Sequence, residues 1–485
     1  MAGMIQLPDS SAIREFRAFL DANEYDTVHL TERLGRARPP TPGETGQMFD
    51  DSKVITTANV LIRLFLLGST IDQATAREFL PKPVVNFCAR SGLLEIVDGI
   101  VRASVVIVPI DDLLFVSDAF RILGTREAAG FVLPASTHSA NFLRLLTMRT
   151  PVDSALDLGC GCGMHALFAA RHSKKVIATD ISEAAIRYTR FNAMLNDMNN
   201  IECRQGSMFE PVEDLRFNLI VSNPPFVIGP GETFVYRDSN LELDGFCKLL
   251  VQQAPAYLAE NGHLQMLCEW VEQEGQSWEE RLNDWVRGCD AWILHSSPVT
   301  PADYVEQRSS DISGDDVNTG SADDWTAYFH VNNVRAVHPG MITLRCREGL
   351  NWTHLQPLLG DVETPAGQAI MDGIAAIDFL EAYDDEAILE AVLCVADGLE
   401  AEQIQADGKA VGVYLRLNNG LSVEAEIDGP VAAFLNLFDR KRTVQECIEK
   451  FGALTDADPD RLTSDLLAIL KVFVSRGFLL PADVE

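Results

Sequence analysis

The chain predicts an α/β protein, with a parallel sheet in its middle and a smaller winged-helix-like module at each end. Three observations carry this expectation. Apolar strand-like runs alternate with helical stretches from about residue 121 to 350, the pattern of βαβ units. A glycine-rich turn, DLGCGCGM, separates the first of these strands from the helix behind it. The chain opens with helical periodicity that gives way to β-branched runs, and an Asn-Gly turn between alternating strands stands near its end.

Residues 1–120 read as an N-terminal module, with helices at SAIREFRAFLDAN and TANVLIRLFLLG. Strand-like runs LLEIVDG, VRASVVIVP and LLFVS follow, so a winged-helix-like unit is expected. Residues 121–350 alternate SALDLG, KVIATD, FNLIVS and HLQMLCEW as strands with MHALFAARH, EAAIRYTRFNAMLN and CKLLVQQAPAYLAEN as helices. SWEERLNDWVRG adds a helix, and AWILHS with GMITLRC is expected to close the sheet as a terminal pair. The polar stretch EQRSSDISGDDVNTGSADDW between them reads as a loop. In residues 351–485 a helical link, QAIMDGIAAIDFLEAYDDEAILEAVL, leads to a hairpin, VGVYLRLNNGLSVEAEI, and three helices. The two ends echo one another: STIDQATAREFL before VVNFCARSGLLE has the rhythm of RTVQECIEKFG before ILKVFVSRGFLLP.

Composition narrows the function classes. With 485 residues, 47% hydrophobic and 23% charged, the chain has material for two to three globular domains. A net charge of -32 repels phosphate backbones and anionic membranes, and the densest basic run, LFDRKRT, is short. Ten cysteines lie scattered without CxxC pairs, and MAGMIQLPDSSAIREF has no signal-peptide pattern, which fits reduced thiols in a cytoplasm. Cys160 and Cys162 alternate with glycines and have no partner pair, so no metal site is expected. VLIRLFLLG is broken by Arg63 and VRASVVIVPI is short and β-branched, so neither is expected to span a membrane.

The chemistry lies in the middle region. Asp157, Gly159, Gly161 and Gly163 stand where a strand turns into a helix, and glycines there let the main chain approach a ligand beside a helix N-terminus. The next strand ends at Asp180, placed to take ribose hydroxyls. The pair fits a nucleoside cofactor without selecting one, a dinucleotide included. A third strand, FNLIVS, ends at Asn223-Pro224-Pro225-Phe226. Prolines fix φ and donate no hydrogen bond, so this loop is rigid and its carbonyls stay free. The Asn223 oxygen and a main-chain carbonyl can accept both hydrogens of a planar –NH2 group, and Phe226 can stack on its plane.

DLGCGCG, ATDIS, RQGSMFEPV and VSNPPF, in this order and spacing, resemble the small-domain S-adenosylmethionine-dependent methyltransferases with an Asn-Pro-Pro-aromatic motif. Release-factor glutamine-amide and RNA guanine exocyclic-amine methyltransferases are similar over roughly residues 135–270. The resemblance implies a Rossmann-like methyltransferase sheet with S-adenosylmethionine as cofactor. Asp157, Gly159, Gly161 and Gly163 would line its methionine part, Asp180 its ribose, and Ser207 and Met208 its adenine. Asn223, Pro224, Pro225 and Phe226 would hold the target nitrogen. Ser207 stands where many relatives have an acid, and Phe226 replaces the tyrosine usual in glutamine methyltransferases. Tyr236, Arg237 and Asp238, just past the loop, are either a cover for the substrate or a surface turn, and His165 reads as packing.

The expected function is N-methylation of a planar nitrogen on a protein or peptide. The alternatives are a nucleobase amine in RNA or DNA, favoured by Phe226, and a cofactor-binding regulator or scaffold, disfavoured by the intact Asn223. The end modules are expected to recognise the substrate or to join a homodimer. Residues 405–485 resemble winged-helix domains that take a peptide strand at a β edge.

Overall fold

Strand-forming and helix-forming stretches of the sequence settle into two compact units, Met1–Arg144 with Pro151–Leu355, and Leu145–Thr150 with Gln356–Glu485. The computed structural model describes residues 5–38, 55–119, 130–230, 241–310, 321–406, 409–454 and 459–482.

The first unit begins with α1 (Ser10–Ala22), which starts where the Asp9 carboxylate accepts the Ser11 and Ala12 amides. Its Ile13, Phe16 and Leu20 fall on one face and are buried. Helices α2 (Thr27–Leu34), α3 (Thr57–Leu61), α4 (Gln73–Phe79) and α5 (Lys82–Arg90) follow. Strands β1 (Thr70–Asp72), β2 (Leu94–Val97) and β3 (Ile100–Ala103) form an antiparallel sheet in the order β1-β3-β2. A separate hairpin pairs β4 (Val105–Ile110) with β5 (Leu113–Asp118).

Helix α6 (His138–Leu146) precedes the large sheet. Its elements are β6 (Val152–Leu158), α7 (Met164–Ala170), β7 (Ser173–Asp180), α8 (Glu183–Leu195), β8 (Ile201–Gln205) and β9 (Phe217–Ser222). Next come α9 (Gly245–Gln253), β10 (Leu258–Gln273), α10 (Trp278–Trp285), β11 (Asp290–His295), α11 (Pro301–Ser310), α12 (Ala322–Val331), β12 (Val334–Cys346) and β13 (Thr353–Pro357). Across the sheet the order is β8-β7-β6-β9-β10-β12-β11-β13. Strands β8, β7, β6, β9 and β10 are parallel, and β12 runs antiparallel to β10 and β11. The chain winds outward from β6 to β8, then crosses to β9 on the other side. That reversal opens a crevice at the carboxyl ends of β6 and β9, where open α/β sheets bind ligands.

Both faces are covered. Leu156, Leu158, Ile177, Ile220 and Met266 pack with Leu250, Leu282 and Trp285 on one side. On the other, Leu167, Tyr188, Phe191 and Leu195 share a core with Phe16, Phe65, Phe87 and Phe115 of the N-terminal elements. Polar side chains add to this apolar seam. Asn192 of α8 and Asn196, the residue that caps its end one turn later, face alternate residues of β5. The Val116 and Leu114 amides donate to their side-chain oxygens, and their side-chain nitrogens donate back to the same two carbonyls, at 2.8–2.9 Å. A helix face thus supplies an edge strand with the pairing that a neighbouring strand would give.

The polar stretch expected to be a loop is helical at both ends. Helix α11 runs to Ser310, and a capping box between Ser321 and Asp324 starts α12, while 311–320 lies outside the described residues. The closing pair of the sheet is also rearranged, since β12 inserts between β10 and β11 and β13 lies beyond them.

In the second unit the expected helical link divides. Helix α13 (Gly367–Ala382) ends at Tyr383, the extended Asp384 caps α14 (Asp385–Glu390), and β14 (Val392–Val395) is a strand. The hairpin β16 (Lys409–Leu417) with β17 (Val423–Ile427) is present, joined by an unforeseen third strand, β15 (Leu399–Ala406). After α15 (Gly429–Leu435) comes β18 (Asp439–Thr443), where helix was expected, then α16 (Val444–Gly452), α17 (Pro459–Ser475) and β19 (Leu479–Pro481).

The echo between the chain ends has a structural counterpart. In each, a strand's last residue, Asp72 or Thr443, caps the following helix. The helix after that closes on a left-handed glycine, Gly92 or Gly477, with Leu93 N donating to Cys88 O and Phe478 N to Phe473 O. The two flanking strands then lie on either side of a third, in the orders β1-β3-β2 and β18-β14-β19. The third strand follows this arrangement in the first unit and precedes it in the second.

Candidate active site

Four adjacent strands bring the expected residues to one edge. Leu158 at the end of β6 pairs with Thr179 of β7 and Ser222 of β9, and Asp180 pairs with Gln205 of β8. The glycine loop, Asp180, Ser207 and Asn223 therefore emerge side by side from strands spaced about 4.8 Å apart.

The glycines divide by role. Gly159 and Gly161 have φ of 79° and 54°, and a Cβ on either would meet no atom within 4 Å, so their faces are open to a ligand. Gly163 is different: a Cβ there would lie 2.7 Å from Thr189 Cγ2, so its place is in the packing of the loop against α8. Asn192 donates to Cys162 O and Thr189 to Gly161 O, which ties the loop to the same helix.

Two carboxylates sit beneath this loop. Asp157 is 1% exposed; its Oδ2 accepts the Ala166 amide at 2.8 Å, and its Oδ1 has no partner among the described residues. Burial pushes its carboxyl up to about 7, against the single hydrogen bond and helped by the nearby Asp180. Asp180 accepts Gly161 N at 3.0 Å and Ser182 N at 2.8 Å, and burial raises it as well. A buried acid with an idle oxygen, next to a second acid and glycine faces open to a ligand, suits a cation-bearing nucleoside. His165, on α7, is buried and pushed down to about 4, so it is neutral near pH 7.

The opposite wall is Asn223 to Phe226. Ser222, fully buried, donates to Leu158 O at 2.8 Å and locks the end of β9 to β6. Asn223 Nδ2 donates to Ser139 Oγ of α6 at 3.4 Å, an arrangement in which Oδ1 is left to accept. Ser139 is a contributor that the sequence did not reveal, for a lone serine 84 residues away carries no spacing signal. Pro224 is buried, while Pro225 and Phe226 are half-buried, with Phe226 against the core on the α9 face. Ser207 is exposed, and its amide donates to the Glu210 carboxylate at 3.4 Å. Met208 takes a left-handed φ of 48°, uncommon for its type, and is half-buried. Tyr236, Arg237 and Asp238 lie outside the described residues.

A release factor glutamine methyltransferase of Aliivibrio fischeri is 36% identical over 23% of this chain and 44% of its own length. One of Yersinia pestis is 33% identical over 34% and 66%, and a ribosomal protein uL3 glutamine methyltransferase of Bradyrhizobium diazoefficiens is 30% identical over 26% and 43%. The chain thus spans from under a half to about two thirds of the length of these curated relatives. Among solved structures, a methyltransferase from Pyrococcus furiosus is similar at 17% identity and a TM-score of 0.27, over 44% of this chain and 84% of its own. No helix among the described residues is long and apolar enough to cross a membrane. The family model described as the methyltransferase small domain matches residues 137–292, which hold Ser139, the glycine loop, Asp180 and the Asn223 loop.

Proposed function

We propose that the chain is an S-adenosylmethionine-dependent N-methyltransferase acting on a planar side-chain amide, that of a glutamine, in a protein substrate. The observation that carries this reading is the Asn223 amide, whose nitrogen is engaged by Ser139 and whose oxygen, beside the Pro224 carbonyl, is left to accept from an –NH2 group. The names of the similar proteins, glutamine methyltransferases of a release factor and of a ribosomal protein, support an amide over a nucleobase amine. The net charge of -32 supports a protein over a nucleic acid.

When bound, the cofactor supplies a methyl group already activated on a sulfonium. Asp157 and Gly159 and Gly161 would hold its methionine end, Asp180 the ribose, and Ser207 and Met208 the adenine. The chain's own contribution is alignment. Asn223 Oδ1 and the Pro224 carbonyl hold the two N–H groups of the acceptor, turn its lone pair toward the methyl, and favour positive charge developing on nitrogen. Phe226 covers the plane of the amide. No general base is needed within the site, since the charged product nitrogen loses its proton readily.

The order of strands and capped helices supports a winged-helix-like reading of both end modules, with substrate recognition or self-association as their role. The primary test incubates the purified chain with tritiated S-adenosylmethionine and a bacterial release factor, then maps the label by mass spectrometry. One methyl group on a glutamine is expected. A release factor left unlabelled, label on a residue other than glutamine, or absence of cofactor binding would overturn the proposal.

A further inference from the structure

Antiparallel neighbours such as β11 and β12 are commonly joined by a tight turn, yet here the connection carries α11 and α12. Tyr304, Val305, Trp325 and Phe329 of these helices are buried in one cluster with Ile228, Val271 and Val337. The insertion therefore packs onto the residues directly after Phe226.

The contact is polar as well as apolar. Ile228 N donates to the hydroxyl of Tyr304 at 3.0 Å, and that hydroxyl donates to the Glu269 carboxylate of β10. Glu269 is 3% exposed and is also bound by Arg308, whose guanidinium lies 5.0 Å over the Tyr304 ring. With its proton committed to Glu269, the hydroxyl offers Ile228 only a lone pair, so its direction is set. At the next residue, Gly229 lies so close to Trp325 that a Cβ would stand 2.6 Å from the ring carbon Cη2.

Pro224 and Pro225 have no N–H, so the acceptor loop cannot be tied down through its own prolines. It is held upstream where Ser222 grips Leu158 O, and downstream where Ile228 meets Tyr304. We propose that Tyr304 is a positioning residue for methyl transfer, fixing the main chain at Ile228 and through it the height of Asn223–Phe226 above the sheet edge. The inference rests on the methyltransferase reading above. Small misplacements of a reacting group cost rate steeply, so this tether should appear in turnover rather than in binding.

The test is Tyr304→Phe in the full chain, which keeps the ring and removes the hydroxyl. Hydrogen exchange at the Ile228 amide should quicken by about tenfold or more, while cofactor affinity by calorimetry should stay within about twofold. Turnover of the release factor should fall about tenfold or more, with KM for that protein changed far less. Val299→Ala trims the same apolar cluster and reports loosening alone, with a lower unfolding midpoint and unchanged kcat. A Tyr304→Phe enzyme with full kcat, or one with an equally protected Ile228 amide, would overturn the proposal. If the wild-type chain leaves the release factor unmodified, the acceptor reading has failed instead, and the exchange of Ile228 alone decides this one.

Discussion

Asp157 carries an electrostatic conflict at the heart of the site. Its folded-state carboxyl is pushed up to about 7 from an ordinary 3.8, so between those values the folded chain binds more protons than the unfolded one. Stability contributed by this group is therefore full below about 3.8 and is lost as pH rises through about 7. A cationic cofactor has the opposite demand, because it favours the carboxylate. Its affinity should rise by about tenfold between about pH 5.5 and 7, measured by calorimetry. Asp157→Asn should flatten that dependence, weaken binding and raise the unfolding midpoint near pH 8. A flat profile in the wild-type chain would contradict this role. His165, at about 4, stays out of the window, and Asp180 shifts in the same direction as Asp157. Asp157, Asp180 and Asn223 were legible in the sequence because each ends an apolar strand. Ser139 was not, because it reaches the site from a helix placed by tertiary packing.

At the scale of elements, α8 joins the N-terminal elements to the glycine loop. Asn192 alone satisfies Val116 N, Val116 O and Cys162 O, all buried polar groups. Asn192→Ala would strand them, at a cost of about 3 kcal/mol or more. Denaturant unfolding should show the loss, and a change under about 0.5 kcal/mol would mean that water replaces the amide freely. Periodicity could not reveal this link: NAMLN reads as any amphipathic turn, and its partner strand lies 76 residues away. The parallel strands and their helices were legible because each is long and apolar with a clear stop signal. Short strands such as Val392–Val395 and Asp439–Thr443 were not, since one follows a helix closely, the other is polar, and both exist through pairing. The loop expected before Asp324 hid two helices because its Ser and Asp residues serve as caps and turns alike.

Charge is the property of the whole molecule that bears on its partner. Of the net -32, the stretch 356–485 holds 25 acidic against 9 basic residues, half of the total in about a quarter of the length. Such a net charge disfavours phosphate backbones and favours basic proteins, with an attraction that salt screens. In a cell lysate given tritiated cofactor, protease should remove the transferred label and nuclease should leave it. Loss of label to nuclease would move the acceptor to a nucleic acid. Chain length and composition set an expectation of two to three domains, whereas the core that residues 5–119 share with α7 and α8 was not legible, because side chains distant in sequence build it. The central claim is that Asn223 aligns an amide nitrogen of a protein for methylation, and one paired measurement tests it most directly. Cofactor affinity and single-turnover methyl transfer to the release factor are determined for the wild-type chain and Asn223→Ala. The account predicts transfer reduced by about a hundredfold or more with cofactor affinity nearly intact. Equal loss of both, or transfer at the wild-type rate, would contradict it.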